Sequence, residues 1–205
     1  FALGCWYLIR IAIRYFSDPA TAITLLLLAL ATNLHYYVVS EPGMSHVFNF
    51  ALISAFLYHS ITWTEFPQVK RTLLLGFLAG LIVLIRPVNI LVLVFPALYG
   101  IRKPGDIADR ITGNWKLILL AGMVAFLTIL PQLLYWKAQT GHFLFNSYMD
   151  QGRFYFLNPQ IINGLFSYRK GWLIYSPVMI TSLVGFIWLL REKNRLFFPF
   201  ARLLR

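Results

Sequence analysis

The stretch TLLLGFLAGLIVLIRPVNILVLVFPALYG, residues 72–100, decides how this chain is read. Its 29 residues carry one charge, Arg86, followed at once by Pro87. A bilayer core of about 30 Å needs about 20 apolar residues in a helix. The stretch is therefore either one long kinked helix or two half-length helices, 72–85 and 88–100, that turn back at Arg86-Pro87. Pro87 lacks an amide donor and disfavours a helical residue before it, so a break there is expected on either reading.

The placement of Lys and Arg separates the two, because cytoplasmic loops carry an excess of both. If the chain turns back, one side holds Arg10, Arg14, Lys70, Arg71, Arg102, Lys103, Arg110, Lys116, Arg191, Lys193, Arg195, Arg202 and Arg205. The other holds only Arg86, Lys137, Arg153, Arg169 and Lys170, thirteen against five. If it crosses once, the tally is eight against nine, with Arg86 left in the membrane. Only the hairpin gives a positive-inside bias.

The rest of the chain agrees with a membrane setting. Its 205 residues are 59% hydrophobic and 12% charged, with mean hydropathy +0.69. A soluble domain carries about 25% charged residues. The net charge of +11 sits in short clusters between apolar runs, which argues against nucleic acid as a partner. Further spans are expected at about 1–13, 20–39, 46–63, 116–136 and 172–190, with Ser17-Asp18-Pro19 as a helix start. The expected fold is all-α: a polytopic transmembrane helix bundle with an extracytoplasmic loop, 137–171, carrying interfacial helices such as about 159–168. The single Cys5 lies in an apolar run and reads as a packing residue. The chain opens inside an apolar helix and reads as an internal piece of a longer protein.

Three features on the extracytoplasmic side could carry chemistry. Arg86 caps a 14-residue half-helix that rises only about 21 Å, so its guanidinium sits below the outer headgroups. There it either pairs, lines a wet cavity, or snorkels to headgroups. The turn Ser40-Glu41-Pro42-Gly43-Met44-Ser45-His46 places an acid beside a histidine. Glu41 suits a proton, a cation or a metal, and His46 suits a phosphate; the bland reading is a capping turn with Ser45 as N-cap. The 137–171 loop is aromatic: 12 of 41 residues from Tyr135 to Tyr175, against 17% overall. Tyr148, Tyr155, Tyr168 and Trp172 offer faces for sugar rings and an isoprenoid chain. Arg153, Arg169 and Lys170, interleaved with them, suit a phosphate or pyrophosphate. An interfacial aromatic belt explains the same rings without a ligand. Asn33 and His35 read as the interfacial polar end of the 20–39 span and His59 as structural, while Asp150 reads as a partner for Arg153 at helical spacing, with a catalytic role as the alternative. No phosphate-binding glycine loop, zinc motif or nucleophile elbow is present in the sequence.

The run Gly80-Leu81-Ile82-Val83-Leu84-Ile85-Arg86-Pro87-Val88-Asn89 resembles the helix pair of GT-C membrane glycosyltransferases, in their protein-mannosyltransferase/aminoarabinose-transferase (family 39-like) branch. Glu41 to His46 and Phe166 to Pro177 are similar to bacterial members of that group. The resemblance covers about 20–190. It implies a sugar transferase using a polyprenyl-phosphate-linked donor and a lipid, glycan or protein acceptor, at the extracytoplasmic face of a bacterial inner membrane. In that group the catalytic acid lies in the first extracytoplasmic loop, which would precede Phe1. The catalytic base is thus expected outside this chain, with Glu41 and His46 the candidates within it. Arg86, Arg153, Arg169 and Lys170 would hold the donor phosphate. Some relatives use a divalent metal and others none, which leaves metal open. A transporter or flippase, and a polymerase or ligase handling a polyprenyl-linked glycan, are the competing readings.

Overall fold

The structure, a computed structural model, describes residues 1–101, 103, 105–145, 159–168 and 171–191. The helices are α1 (Ala2–Ala12), α2 (Asp18–Leu30), α3 (Asn33–Val39), α4 (Ser45–Glu65), α5 (Val69–Ile85), α6 (Phe95–Leu98), α7 (Gly105–Thr140), α8 (Ile161–Phe166), α9 (Trp172–Tyr175) and α10 (Met179–Arg191). A 3-10 helix, η1 (Pro87–Val94), joins α5 to α6. No strand occurs among the described residues, so the fold is all-helical.

Local chemistry sets the main boundaries. Pro19 falls in the first turn of α2, where a missing amide costs nothing, and Asp18 faces the positive end of the helix. Pro87 forces Arg86 into extended backbone (φ −151°, ψ 114°), which ends α5. Asn114 leaves the helical region (φ −121°, ψ 18°) and kinks α7; its amide donates to the Arg110 carbonyl at 3.1 Å.

Contacts between helices give their directions. Gly4 of α1 abuts Phe50 and Ala51 of α4, and Arg14 pairs with Glu65 at 3.5 Å, so α1 and α4 are parallel. The Trp63 Nε1–H donates to Thr72 Oγ1 at 2.8 Å, closing the antiparallel turn from α4 to α5. Gly76 meets Ala121 and Val124, and Gly80 meets Ala125 and Thr128, so α5 and α7 are parallel. Two parallel neighbours need a return segment, and η1 with α6 supplies it. A 3-10 helix rises about 2.0 Å per residue. Eight such residues and four α-helical ones climb about 22 Å, close to the roughly 25 Å of α5.

The core is built where α4 and α5 cross: Ala55, Phe56, Trp63, Leu75, Leu78, Ala79 and the fully buried Ile82. Tyr7, Val92, Leu93, Leu117 and Ala125 bring α1, η1 and α7 onto it.

The two ends of this bundle differ in charge. At one end Arg71 donates to the Thr62 carbonyl at 3.1 Å, and the Tyr15 and Tyr99 hydroxyls hydrogen-bond. Arg110 there donates to the Pro96 and Tyr99 carbonyls at 2.8 and 2.6 Å, tying down the C-terminus of α6. Burial lowers the Arg110 pKa from its ordinary value, with Asp106 opposing the shift. Arg86 and Lys137 lie at the opposite end.

Several expected spans take a different form. The 20–39 run breaks between α2 and α3 with a 62° bend, because the Thr32 hydroxyl donates to the Leu28 carbonyl and accepts from the Leu34 amide. The 88–100 run is 3-10 helix and one α-turn, set by Pro87 and Pro96. The 172–190 run divides into α9 and α10 at Ser176-Pro177. The expected 137–171 loop begins inside α7, and α8 lies within 159–168. Among the described residues α7 is the one helix long and apolar enough to cross a membrane; α2 and α3 qualify only as a bent pair.

The α5–α7 contact leaves no room for a side chain. A Cβ on Gly76 would lie 2.5 Å from the Ala121 carbonyl oxygen, and one on Gly80 2.6 Å from Thr128 Cβ. Gly76→Ala and Gly80→Ala should each lower stability by about 1–3 kcal/mol. Gly122→Ala, which meets open space, should leave it unchanged or raise it. Thermal unfolding of the purified variants measures both.

Candidate functional site

At the Arg86 end, α3 folds over the start of α4. Tyr37 stacks on His46 with ring centroids 4.0 Å apart and planes at 23°. Beside this stack opens a cleft of about 280 Å³. Its walls include Thr32 and Asn33 from the α2–α3 break, His46 and Phe50 from the first turns of α4, and Trp172 and Ser176 from α9 and its end. His46 and Phe50 are four residues apart and share a helix face. Trp172 reaches the cleft because the chain doubles back tightly before it. The Gly171 amide donates to the Ser167 carbonyl at 2.7 Å, and a Cβ on Gly171 would lie 2.5 Å from Ser167 N.

Arg86 is half-buried at the junction of α5 and η1. His46, which lines the cleft, begins α4 at the same end of the bundle as Arg86. Among the described residues no ion pair or hydrogen bond engages that guanidinium. A half-buried cation without a counter-charge is an anion site in waiting. The cleft adds aromatic walls and neutral polar groups, the combination that holds a sugar face and its hydroxyls.

Glu41 is placed differently from the expectation. The Tyr36 hydroxyl donates to Glu41 Oε1 at 2.8 Å, and Glu41 does not line the cleft. Ser45 is the first residue of α4 and Met44 its N-cap, so Ser45 does not cap the helix. Tyr168 is 91% exposed and stands away from the cleft. Arg153, Arg169, Lys170, Tyr148, Tyr155 and Asp150 lie outside the described residues. His59 packs edge-on against Tyr7 and Tyr58 in the bundle, 3.4 Å from the Tyr7 hydroxyl. His35 is exposed and off the cleft. Among the described residues no three His, Cys, Asp or Glu side chains gather as a metal site.

Sequence reasoning missed Tyr37, Phe50 and Ser176, and left Asn33 as an interfacial end. The signals were present: Phe50 shares the His46 face, and Thr32-Asn33 is a capping pair inside an apolar run. No protein-family model, curated protein or solved structure matches this chain.

The placement is testable by thiol chemistry in a Cys5→Ala background. Asn33 is exposed and Ser176 is 2% exposed. A soluble maleimide should modify Asn33→Cys roughly tenfold faster than Ser176→Cys.

Proposed function

We propose that this chain is the membrane-embedded part of a glycosyltransferase that takes its sugar from a polyprenyl-phosphate donor at the extracytoplasmic face. The observation that carries the reading is Arg86, without an ion pair or hydrogen bond among the described residues, at the same end of the bundle as the His46–Tyr37–Trp172 cleft and away from the basic cluster. An anionic lipid headgroup would dock on Arg86. The cleft rings would face the sugar, and an isoprenoid chain would lie along the apolar exterior.

The membrane setting of the reading is supported by α7. Ile118, Leu119, Met123, Phe126, Leu127 and Leu134 are exposed along it. Trp115-Lys116 and Trp136-Lys137 bracket this apolar stretch, with the Lys116 ammonium 5.7 Å from the Trp115 ring centre. Trp136 follows Trp115 by 21 residues of helix, a rise of about 31 Å. That is one hydrocarbon thickness with an aromatic-basic anchor at each interface. With α7 set across the bilayer, Lys103 and Arg110 fall on the basic side and the cleft on the other.

The reaction would be displacement at the anomeric carbon with polyprenyl phosphate leaving. Arg86 would stabilise the charge that grows on the phosphate as the bond breaks. The acceptor hydroxyl would need a general base to activate it. His46 would contact the phosphate or the sugar rather than serve as that base.

Two measurements test this. Arg86→Ala should lower transfer from polyprenyl-phosphate sugars by about 100-fold or more at unchanged protein level; undiminished turnover would remove Arg86 from the mechanism. Lys103→Cys, with Cys5→Ala, should react with an impermeant maleimide only from the cytoplasmic side. Labelling of intact cells would overturn the topology.

A further inference from the structure

At the basic end, away from the cleft, two arginines and two aromatic rings form a chain of contacts across the α1–α4 seam. The Arg10 guanidinium lies over the Trp6 ring, 4.9 Å from its centre. The Trp6 ring centre is 6.4 Å from that of Tyr58 on α4, and the Arg14 guanidinium stands 5.5 Å from the Tyr58 ring centre. Arg14 also reaches Glu65 at 3.5 Å. Gly4, against Phe50 and Ala51, lets the two helices lie this close.

Charge along the seam is not balanced. Glu65 answers Arg14, but among the described residues no carboxylate pairs with Arg10 and no hydrogen bond engages it. Arg10 is exposed and so is Trp6, at 44%, which leaves both open to a ligand. A guanidinium over an aromatic face is held by the ring and still presents its N–H edge, which suits two oxygens of one phosphate. With two arginines and one carboxylate, one positive charge is left to neutralise, and a phosphodiester supplies one negative charge.

The surroundings of Arg10 narrow the source of that phosphodiester. Leu3, Trp6, Arg10 and Ile13 are spaced three, four and three residues apart and share one face of α1 and its C-cap. Leu3, Trp6 and Ile13 are exposed, whereas Gly4 on the opposite side is buried. From Arg10 to Leu3 the strip runs about 10 Å away from the basic end. A soluble phosphate or an acidic peptide gains nothing from such a strip, but an acyl chain does. With the basic end at the cytoplasmic interface, Arg10 and Trp6 fall at headgroup level and Leu3 faces hydrocarbon. Basic sites between helices on that side hold anionic headgroups.

We infer that the α1–α4 seam binds a monoanionic phospholipid of the phosphatidylglycerol type, with its phosphodiester on Arg10 and an acyl chain along Trp6 and Leu3. A zwitterionic headgroup brings its own ammonium and would leave the charge of the seam uncancelled. The inference rests on the membrane setting proposed above and not on sugar transfer.

Quenching of Trp6 fluorescence by brominated lipid tests it. The full chain is placed in phosphatidylcholine nanodiscs containing a minor share of acyl-brominated phosphatidylglycerol or of acyl-brominated phosphatidylcholine. The Trp6 signal is the difference between the wild type and Trp6→Phe. Brominated phosphatidylglycerol should quench that signal at about a fivefold lower share than brominated phosphatidylcholine. Arg10→Gln should erase the preference and unfold at the wild-type temperature. If it fails to fold, Arg10→Met carries the same comparison. Equal quenching by the two lipids in the wild type overturns the inference and leaves the membrane setting standing. A preference that survives the loss of Arg10 does the same. Relief of the quenching by soluble glycerol phosphate makes the ligand a free anion and overturns the lipid assignment. No quenching of Trp6 by either lipid overturns the membrane setting and the inference together.

Discussion

A proline after a charged residue governs this molecule. Pro87 supplies no amide hydrogen, crowds the residue before it and so holds Arg86 in extended backbone. Helix α5 must stop at Ile85, and its last carbonyls are left to the 3-10 turns that follow. The tighter 3-10 winding gives more length per residue, which lets a short segment retrace the height of α5. With the chain returned to its starting end, α7 can lie parallel to α5 and close against it at Gly76 and Gly80. Arg86 is left at the tip, half-buried and without a counter-charge among the described residues.

The remainder of the polar chemistry sorts around that tip. Three arginines of the opposite end are spent on structure. Arg14 pairs with Glu65, and Arg71 and Arg110 collect carbonyls left open where helices finish. Among the described residues Arg86 makes no such bond. The same end of the bundle holds an imidazole stacked on Tyr37, and a cleft whose walls are aromatic, aliphatic and neutral polar. Positive charge beside aromatic faces is the arrangement that binds a phosphate joined to a ring.

Helicity was legible in the sequence because long apolar runs with few breakers have no other way to satisfy their backbone. The break at Arg86 was legible because proline chemistry is local. The bend at Thr32 was not, since a threonine inside an apolar run ordinarily bonds back within its own helix without breaking it. Here its hydroxyl does both, donating to Leu28 and accepting from Leu34. The same bend turns Asn33 and Tyr37 towards α4, and Asn33 was read as a mere interfacial end. Glu41 looked available beside His46 in the sequence, but its carboxylate accepts from the Tyr36 hydroxyl and does not line the cleft.

What this sequence determined by itself is therefore everything that depends on neighbours in the chain: the apolar helices, the stop at Ile85, and the crowding of basic residues into a few short segments. What only the tertiary structure decided is which distant groups meet. Asn33, His46 and Trp172 line one cleft because α3 is bent, α4 is parallel to α1, and Gly171 folds α9 back. Each of these follows from packing at distances of a few ångströms between segments tens of residues apart, and no periodicity along the chain records such distances.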